Sequence, residues 1–315
     1  MRRRHLLQLG GGAILAPVVL TGCKDTMEPN PSSQTAVPAA TRSLSNFGVQ
    51  LSTVTQLMLE DFEGTLAKVA EIGYTQVEFS ALGFLGRSPQ RIQELLQLNG
   101  LQAPVGRISP ALPEGFNALP RDEARAIFTE RSNPMFLLDN VKHSLEGVAL
   151  LGQKYLNLPA LMPDHFQSLD QVKQNIELLN QAGELCAAAG VLFGYHNHNW
   201  ELAPLEGVIP YDLMLAETTA DRVGFQLDAY WIVKGGGDLY SYLADHPGRF
   251  PSCHLKDIDA EGNFADVGHG QIDFARFIPA AQDNGTHHFF VERDGPPEPE
   301  QSIRRSYRYL HQLSY

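Results

Sequence analysis

The sequence predicts a (β/α)₈ barrel, and three observations support that fold. Strand-like apolar runs alternate with helical patterns from residue 44 to residue 315, and eight strands in about 270 residues is the usual size of such a barrel. Uninterrupted alternation of this kind requires a parallel sheet. Four apolar runs in the second half of the chain each end in a residue that can ligate a divalent metal. The rival fold is an open doubly wound sheet, which is disfavoured because no glycine-rich phosphate loop follows the first strand.

The elements of the first half follow from hydrophobic periodicity and from helix caps. Asp61 is a candidate N-cap, and Gly73 is placed to end the helix that it starts. The stretch 110–132 has no regular pattern apart from a short helical piece, and we expect it to cover one mouth of the barrel. The predicted strands are 47–52, 74–79, 101–108 and 154–158, and the predicted helices are 61–72, 89–98, 121–130 and 133–152.

The second half continues the alternation. Gly190 and Gly285 are placed to end helices, and a strand follows each of them closely. The predicted strands are 191–196, 223–227, 250–255 and 288–291, and the predicted helices are 169–189, 211–218, 239–245, 274–283 and 301–313.

The N-terminus has the pattern of a targeting segment and is kept out of the fold. A basic start and a short apolar run lead to Leu-Thr-Gly-Cys23, which is typical of a bacterial lipoprotein signal. We therefore expect cleavage after residues 1–22 and lipidation of Cys23. Arg3 and Arg4 also suit a twin-arginine export signal, and the choice between that route and ordinary secretion stays open. Residues 23–43 predict a flexible tether, so the barrel is expected on the periplasmic side of the cell envelope, bound to the membrane only through the lipid anchor.

Composition and charge exclude some classes of partner. The chain is 43% hydrophobic and 19% charged, as in an ordinary globular protein. Its net charge of −12 argues against binding of nucleic acid and against a polybasic membrane patch. A neutral small molecule is compatible with such a surface. The sequence leaves the oligomeric state open, with a homo-oligomer as one option.

Four residues at successive strand ends are candidate metal ligands. In a barrel, the residues at the carboxyl-terminal ends of the strands point into one bowl. Each candidate has an ordinary explanation by itself, since histidines are often half-buried and an aspartate often caps a helix. Their joint position predicts one divalent ion, and the mixture of imidazole and carboxylate suits Mn, Co, Zn or Mg. The four are His196, Asp228, His254 and Glu292, separated by 32, 26 and 38 residues.

Other polar and aromatic residues near these strand ends are candidates for contacting a substrate. Lys256 shares a strand face with His254 and could stabilise a developing enolate, or else form an ion pair at the rim. His198 lies beyond His196, where the strand passes into a loop, and we expect it to reach the bowl only if that loop turns it back. Glu78 could instead orient a metal ligand from behind. The substrate-binding candidates are Glu78, Arg107, His198, Trp231 and Lys256.

Several short motifs resemble the xylose isomerase-like superfamily. More narrowly, the chain resembles the sugar phosphate isomerases/epimerases, with inosose dehydratases and tagatose/psicose 3-epimerases as relatives. The resemblance extends over residues 46–313, and it implies a TIM barrel. The motifs are Gly73-Tyr-Thr-Gln-Val-Glu78, Tyr195-His-Asn-His-Asn-Trp-Glu201, Leu227-Asp228, His254-Leu-Lys-Asp257, Val267-Gly-His-Gly-Gln-Ile-Asp273 and Val291-Glu292.

The resemblance also implies a ligand set and catalytic residues. The family holds one divalent ion through a Glu (or His), an Asp, a His and a Glu, which fall on His196, Asp228, His254 and Glu292. The related epimerases use their two ligating glutamates as acid and base on opposite faces of the sugar. This sequence has His196 in place of the first, so Glu292 is the remaining proton-transfer carboxylate, with His196 or Lys256 assisting.

These patterns favour a metal-dependent isomerase or epimerase that acts on a sugar or a keto-sugar. A lyase or hydrolase of keto-glycosides is the alternative, because elimination needs one base and one acid rather than a symmetric pair. A noncatalytic sugar-binding lipoprotein is a third interpretation, against which the complete ligand set argues. The endonuclease branch of the superfamily is disfavoured by the negative charge of the chain.

Overall fold

Eight parallel strands form a nearly closed barrel in the computed structural model, which describes residues 42–315. The strands are β1 (Gly48–Gln50), β2 (Gln76–Glu78), β3 (Val105–Arg107), β4 (Tyr155–Leu158), β5 (Leu192–His196), β6 (Val223–Asp228), β7 (Ser252–Leu255) and β10 (His288–Val291), with a small antiparallel hairpin of β8 (Asp257–Ile258) and β9 (Phe264–Ala265). The barrel order is β2-β1-β10-β7-β6-β5-β4-β3. The predicted (β/α)₈ fold is confirmed.

Helices connect the strands and pack around the barrel. Asp61 caps the second helix through a hydrogen bond from Gly64 N–H to its Oδ1 (3.0 Å), and Gly73 ends that helix at a φ of +117°. The helices are α1 (Thr55–Glu60), α2 (Phe62–Ile72), α3 (Pro89–Leu98), α4 (Arg121–Arg131), α5 (Leu137–Leu151), α6 (Leu169–Ala188), α7 (Pro210–Glu217), α8 (Ala229–Lys234), α9 (Leu239–Asp245), α10 (Phe274–Asp283) and α11 (Pro299–Gln312). Helices α1 and α8 and the β8–β9 hairpin lie where the sequence predicted none.

The barrel has a seam between β2 and β3. Among the described residues, these strands are joined by a single bridge between Gln76 and Gln102, at the amino-terminal end of β2. No ladder continues to Glu78 and Arg107, where the two strands end. Side chains rather than backbone hydrogen bonds therefore close the barrel wall at the end where parallel barrels carry their sites.

The two ends of the described chain meet. The backbones of Arg42 and Tyr315 exchange two hydrogen bonds (2.7 and 2.9 Å), and Ser43 bridges to Ser314. Arg42 and Ser43, which the sequence assigns to the tether, thus pair with the C-terminus. Within residues 42–315, no helix is both long and apolar enough to cross a membrane. The predicted signal, the rest of the tether and the lipidation of Cys23 lie outside the described residues.

Candidate metal centre

Four side chains meet at the carboxyl-terminal ends of consecutive strands. They are His196 of β5, Asp228 of β6, His254 of β7 and Glu292, which directly follows β10. Each offers one ligand atom, and these atoms all lie within 4.8 Å of one another. All four residues are buried. The structure brings together the four residues that the sequence predicts as metal ligands, and this buried group can bind a metal.

The contacts of the Asp228 carboxylate show whether the cluster has room and a free oxygen for a cation. Its Oδ1 accepts a hydrogen bond from Trp231 N–H (2.9 Å), which caps α8. Its Oδ2 is buried and has no hydrogen-bond partner within residues 42–315, and Nε2 of His196 and Nδ1 of His254 each lie 3.8 Å away. Two atoms that each bind one zinc ion at about 2.1 Å are at most about 4.2 Å apart. A buried, unpartnered carboxylate oxygen at this spacing from two imidazole nitrogens fits a divalent ion.

Hydrogen bonds beneath the cluster determine which nitrogen each histidine turns toward Asp228. Nε2 of Gln226 donates to Oε2 of Glu78 (2.9 Å), which turns Oε1 of Gln226 toward His196. That oxygen accepts the Nδ1 proton of His196 (3.1 Å) as well as a hydrogen bond from Nη1 of Arg107 (3.2 Å). Nε2 of His254 donates to the same Glu78 oxygen (2.9 Å). The nitrogens that remain for an ion are Nε2 of His196 and Nδ1 of His254. Partners of this kind orient metal-binding histidines and select their tautomers.

Glu78, Arg107 and Gln226 form a hydrogen-bonded layer beneath the cluster, and Glu78 contacts both of the other two. Its Oε1 accepts from Nη1 of Arg107 (2.6 Å), and its Oε2 accepts from His254 and Gln226. Burial raises the pKa of Glu78, but His254 and Arg107 outweigh it, so the pKa falls below its usual value. A substrate-binding role for Glu78 and Arg107 stays a prediction. The contacts favour the other interpretation of Glu78, in which it orients His254.

His254 lies between two carboxylates. Its Nδ1 is 2.8 Å from Oε2 of Glu292, and its Nε2 is bonded to Glu78. Burial lowers the pKa of His254, but the charges of Glu292 and Glu78 outweigh it and raise the pKa to about 9. A cation at Nδ1 takes the place of a proton, so metal binding here must release protons.

Lys256 supplies a buried positive charge beside the cluster. Its Nζ donates to Oε2 of Glu292 (3.1 Å) and to Oδ2 of Asp294 (2.8 Å), and it lies 3.9 Å from Oδ2 of Asp228. Burial lowers the pKa of Lys256, but these carboxylates outweigh it and raise the pKa above its usual value. Lys256 therefore stays a cation at neutral pH, within 5.1 Å of the ring centre of Trp231.

Glu292 uses its two oxygens differently. Its Oε2 accepts from His254 and Lys256, whereas its Oε1 accepts from the Oγ of Ser52 (3.0 Å). Burial raises the pKa of Glu292, and Lys256 and His254 lower it by more, so the carboxyl is ionised. Because Oε1 of Glu292 is bonded to an uncharged hydroxyl and Oε2 to two cationic groups, Oε1 is the oxygen that is more available to accept a proton.

Aromatic side chains line the rim next to the cluster. The His198 ring stacks on Trp200 at 4.2 Å and lies 5.1 Å from the rings of both His196 and Trp231. The loop after β5 therefore turns His198 back toward the same mouth as His196. Burial, with Lys256 nearby, lowers the pKa of His198 to about 3, so its ring is neutral. Nδ1 of His198 and Nε1 of Trp231 are buried and have no hydrogen-bond partner in the described part of the chain, so both can bond to a ligand.

Two residues that sequence reasoning missed support this mouth. Gln226 could have been identified from the sequence, because it is a polar residue in an apolar run and shares a strand face with Asp228. Glu201 is buried and accepts hydrogen bonds from the hydroxyl of Tyr195 and from His198 N–H (3.0 Å). Burial raises the pKa of Glu201 to about 7. These bonds hold the loop that carries His198.

Comparisons with solved structures agree with the fold. A sugar phosphate isomerase/epimerase from Parabacteroides distasonis is 25% identical, with a TM-score of 0.69, and the match covers 88% of this chain and 96% of that one. A 3-keto-D-glucoside 4-epimerase from E. coli is 18% identical, with a TM-score of 0.62, over 85% of this chain and 99% of the other. An L-ribulose 3-epimerase is 15% identical, with a TM-score of 0.60, over 85% and 94%. The last two show similarity of fold alone.

The sequence was also compared with protein families and with curated proteins. None of the curated proteins matches it. The model of one family matches residues 66–313, which include all eight strands except β1 and all four candidate ligands. From the barrel, the cluster at its mouth and this match, we conclude that the chain belongs to the xylose isomerase-like TIM barrel family.

Proposed function

We propose that the chain is a divalent-metal-dependent enzyme that isomerises or epimerises a sugar or keto-sugar. The observation that carries this proposal is the buried cluster at the barrel mouth, with the unpartnered Oδ2 of Asp228 facing the imidazoles of His196 and His254. The similarity to a protein named as a sugar phosphate isomerase/epimerase supports the choice of reaction and of a carbohydrate substrate. The proposed ion is Mn, Co, Zn or Mg, as suits a mixture of imidazole and carboxylate.

The proposed chemistry is removal of a proton from the carbon next to a carbonyl. When bound, the ion polarises the oxygens of the substrate and acidifies that C–H bond. Oε1 of Glu292 takes the proton, and the electron pair of the C–H bond moves onto the carbonyl oxygen to give an enolate. The ammonium of Lys256 stabilises this negative charge. Return of the proton from Glu292 to the neighbouring carbon, with the adjacent hydroxyl proton passing to the former carbonyl oxygen, gives the isomer. Delivery of a proton to the opposite face by solvent water gives the epimer.

The same residues also suit a keto-glycoside lyase or hydrolase. The observation that favours this second candidate is the asymmetry of the cluster. Glu292 is its one carboxylate with an oxygen bonded only to a hydroxyl, and Lys256 is the adjacent acid. After the proton is removed, the β-substituent leaves with the electron pair of its bond to carbon. One base and one acid suffice for that step.

Exchange in D₂O distinguishes these functions. We expect the metal-loaded protein, incubated with a panel of sugars and 3-keto-glycosides, to incorporate deuterium next to the carbonyl, because the enolate takes its proton back from solvent. Mass spectrometry and NMR measure the label. Label without cleavage indicates an isomerase or epimerase, and release of the aglycone indicates a lyase or hydrolase. If neither occurs with any compound while metal is bound, the enzymatic proposal is wrong and a noncatalytic sugar-binding lipoprotein takes its place.

We also propose that the protein is a lipoprotein anchored through Cys23 on the periplasmic side of the envelope. The support is the sequence of the first 23 residues. We expect the full-length protein to fractionate with membranes and a Cys23→Ser variant to appear in the soluble periplasmic fraction or as uncleaved precursor. An identical distribution of the two proteins on immunoblots would contradict the anchor.

A further inference from the structure

A second cavity lies beside the barrel, outside the metal-binding cluster. It encloses about 550 Å³, and none of the four candidate ligands lines it. Its walls include the segment 79–89 after β2, the segment 109–118 after β3, and one face of α5. Because loops after strands gather at the carboxyl-terminal end of a barrel, the cavity lies at the same end as the cluster.

The walls of this cavity are mainly apolar. Polar groups such as His143 and Glu146 belong to exposed positions of α5 and lie toward its rim. A cavity of roughly 150 Å³ lined by apolar side chains already binds benzene, and sites for small molecules span roughly 300–1,000 Å³. The volume therefore suits an organic group of two or three rings. The apolar wall includes Phe79, Leu82, Phe84, Leu112, Phe116 and Phe128.

The loop that forms one wall has an unusual backbone. Leu85 has a φ of +50°, between Gly83 at +65° and Gly86 at +83°. Positive φ is unfavourable for leucine, and such strain is characteristic of ligand-binding segments. This turn presents Phe84 to Phe79, with the ring centres 5.0 Å apart edge to face. Leu82 remains 40% exposed on the same loop, so the wall offers apolar surface that is not used by the core.

Arg107 connects the cavity to the cluster. It lines the cavity, and its Nη1 lies 2.6 Å from Glu78, which is bonded to His254. The seam between β2 and β3 is at this place, so side chains rather than a strand ladder separate the two spaces. The cavity and the cluster are therefore neighbours, with Arg107 and Glu78 lying between them.

We propose that this cavity holds the apolar, aromatic substituent of a glycoside-type substrate whose sugar lies at the metal-binding cluster. The inference rests on the proposed function and narrows it to sugars that carry an aryl aglycone. Burial of an aromatic ring system in this cavity supplies binding energy in proportion to the apolar surface that it removes from water. That contribution is absent for a free sugar, which presents hydroxyls to both spaces.

Gly147 of α5 provides the test, because it lines the cavity and has room for a side chain. A Cβ there would lie 3.5 Å from Phe84 and 3.6 Å from Pro89, which is ordinary contact. Gly147→Leu fills part of the cavity without a cost in helix propensity. We expect it to weaken binding of 2-naphthyl glucoside and of 2-naphthol at least tenfold, measured by fluorescence titration. Gly147→Ala, the matched control, should bind both within twofold of the wild type.

Other outcomes would overturn the inference. It fails if the wild type binds neither naphthyl compound, or if Gly147→Leu binds both as tightly as the wild type. Should Gly147→Leu not fold, Leu112→Glu places a charge in the opposite wall and should cause the same loss. Metal content of every variant is measured in parallel and should stay at the wild-type value. Loss of naphthyl binding with unchanged metal content supports the cavity, whereas absence of metal from the wild type contradicts the proposed function itself.

Discussion

Replacement of Asp228 by asparagine is expected to abolish turnover and to weaken metal binding by at least about a hundredfold, since even residues behind the ligands change affinity 10–100-fold. The physical reason is local. Asparagine keeps an oxygen for the hydrogen bond from Trp231 N–H that caps α8. It puts an NH₂ group where the buried, unpartnered Oδ2 faces the two imidazoles. Isothermal titration with Mn²⁺ or Zn²⁺ measures the affinity.

A matched variant at another helix cap shows whether the change in metal affinity comes from the loss of a metal ligand or from a change to a helix cap. Asp238 caps α9 in the same way, through a hydrogen bond from Ser241 N–H (2.7 Å). It is not one of the four candidate ligands. Asp238→Asn should leave metal affinity unchanged. Both variants should melt within a few degrees of the wild type in EDTA, because neither loses a hydrogen bond. Normal metal affinity in Asp228→Asn would exclude Asp228 as a ligand.

The second large effect is expected at Glu78. Glu78→Gln should lower metal affinity about 10–100-fold, because His254 loses the carboxylate that orients it. It should also lower the free energy of unfolding by about 3–5 kcal/mol, because buried Arg107 loses its charged partner. Titration calorimetry and urea denaturation measure the two effects. Glu94→Gln is the control, since it breaks an exposed ion pair with Arg91, and it should leave the free energy of unfolding nearly unchanged because solvent screens such pairs.

The same variant decides between the two interpretations of Glu78. If Glu78 contacts the substrate, as the sequence predicted, Glu78→Gln raises KM and leaves metal affinity unchanged. If it holds His254, metal affinity falls, and saturating metal restores much of kcat. Unchanged values of both metal affinity and unfolding free energy would show that the hydrogen-bonded layer beneath the cluster has no such role.

The sequence predicts the fold and the cluster for a common physical reason. Alternating strands and helices allow few topologies, and a barrel gathers the ends of its strands, so spacing alone places His196, Asp228, His254 and Glu292 together. Local patterns also locate most helices, and α3, α9 and α10 have the predicted bounds. Short elements such as α8 escape prediction, because six residues carry little periodicity.

The layer beneath the cluster depends on contacts between distant parts of the chain. Gln226 is hydrogen-bonded to Glu78, which is 148 residues away in the sequence, and to His196, which is 30 residues away. No local pattern encodes these pairs, since they depend on strand register and on the seam at Arg107. The partners of Lys256 are another example, because Asp294 belongs to a loop after β10 without a motif of its own. The sequence therefore identifies candidate ligands but not the groups that orient them.

Metal content tests the central claim most directly. The protein is purified, loaded with Mn²⁺, Co²⁺, Zn²⁺ or Mg²⁺, dialysed extensively and analysed by inductively coupled plasma mass spectrometry beside Asp228→Asn. The cluster of His196, Asp228, His254 and Glu292 predicts close to one ion per wild-type chain for at least one metal and close to none for the variant. A wild-type chain that retains no ion, or a variant that retains as much as the wild type, would contradict it.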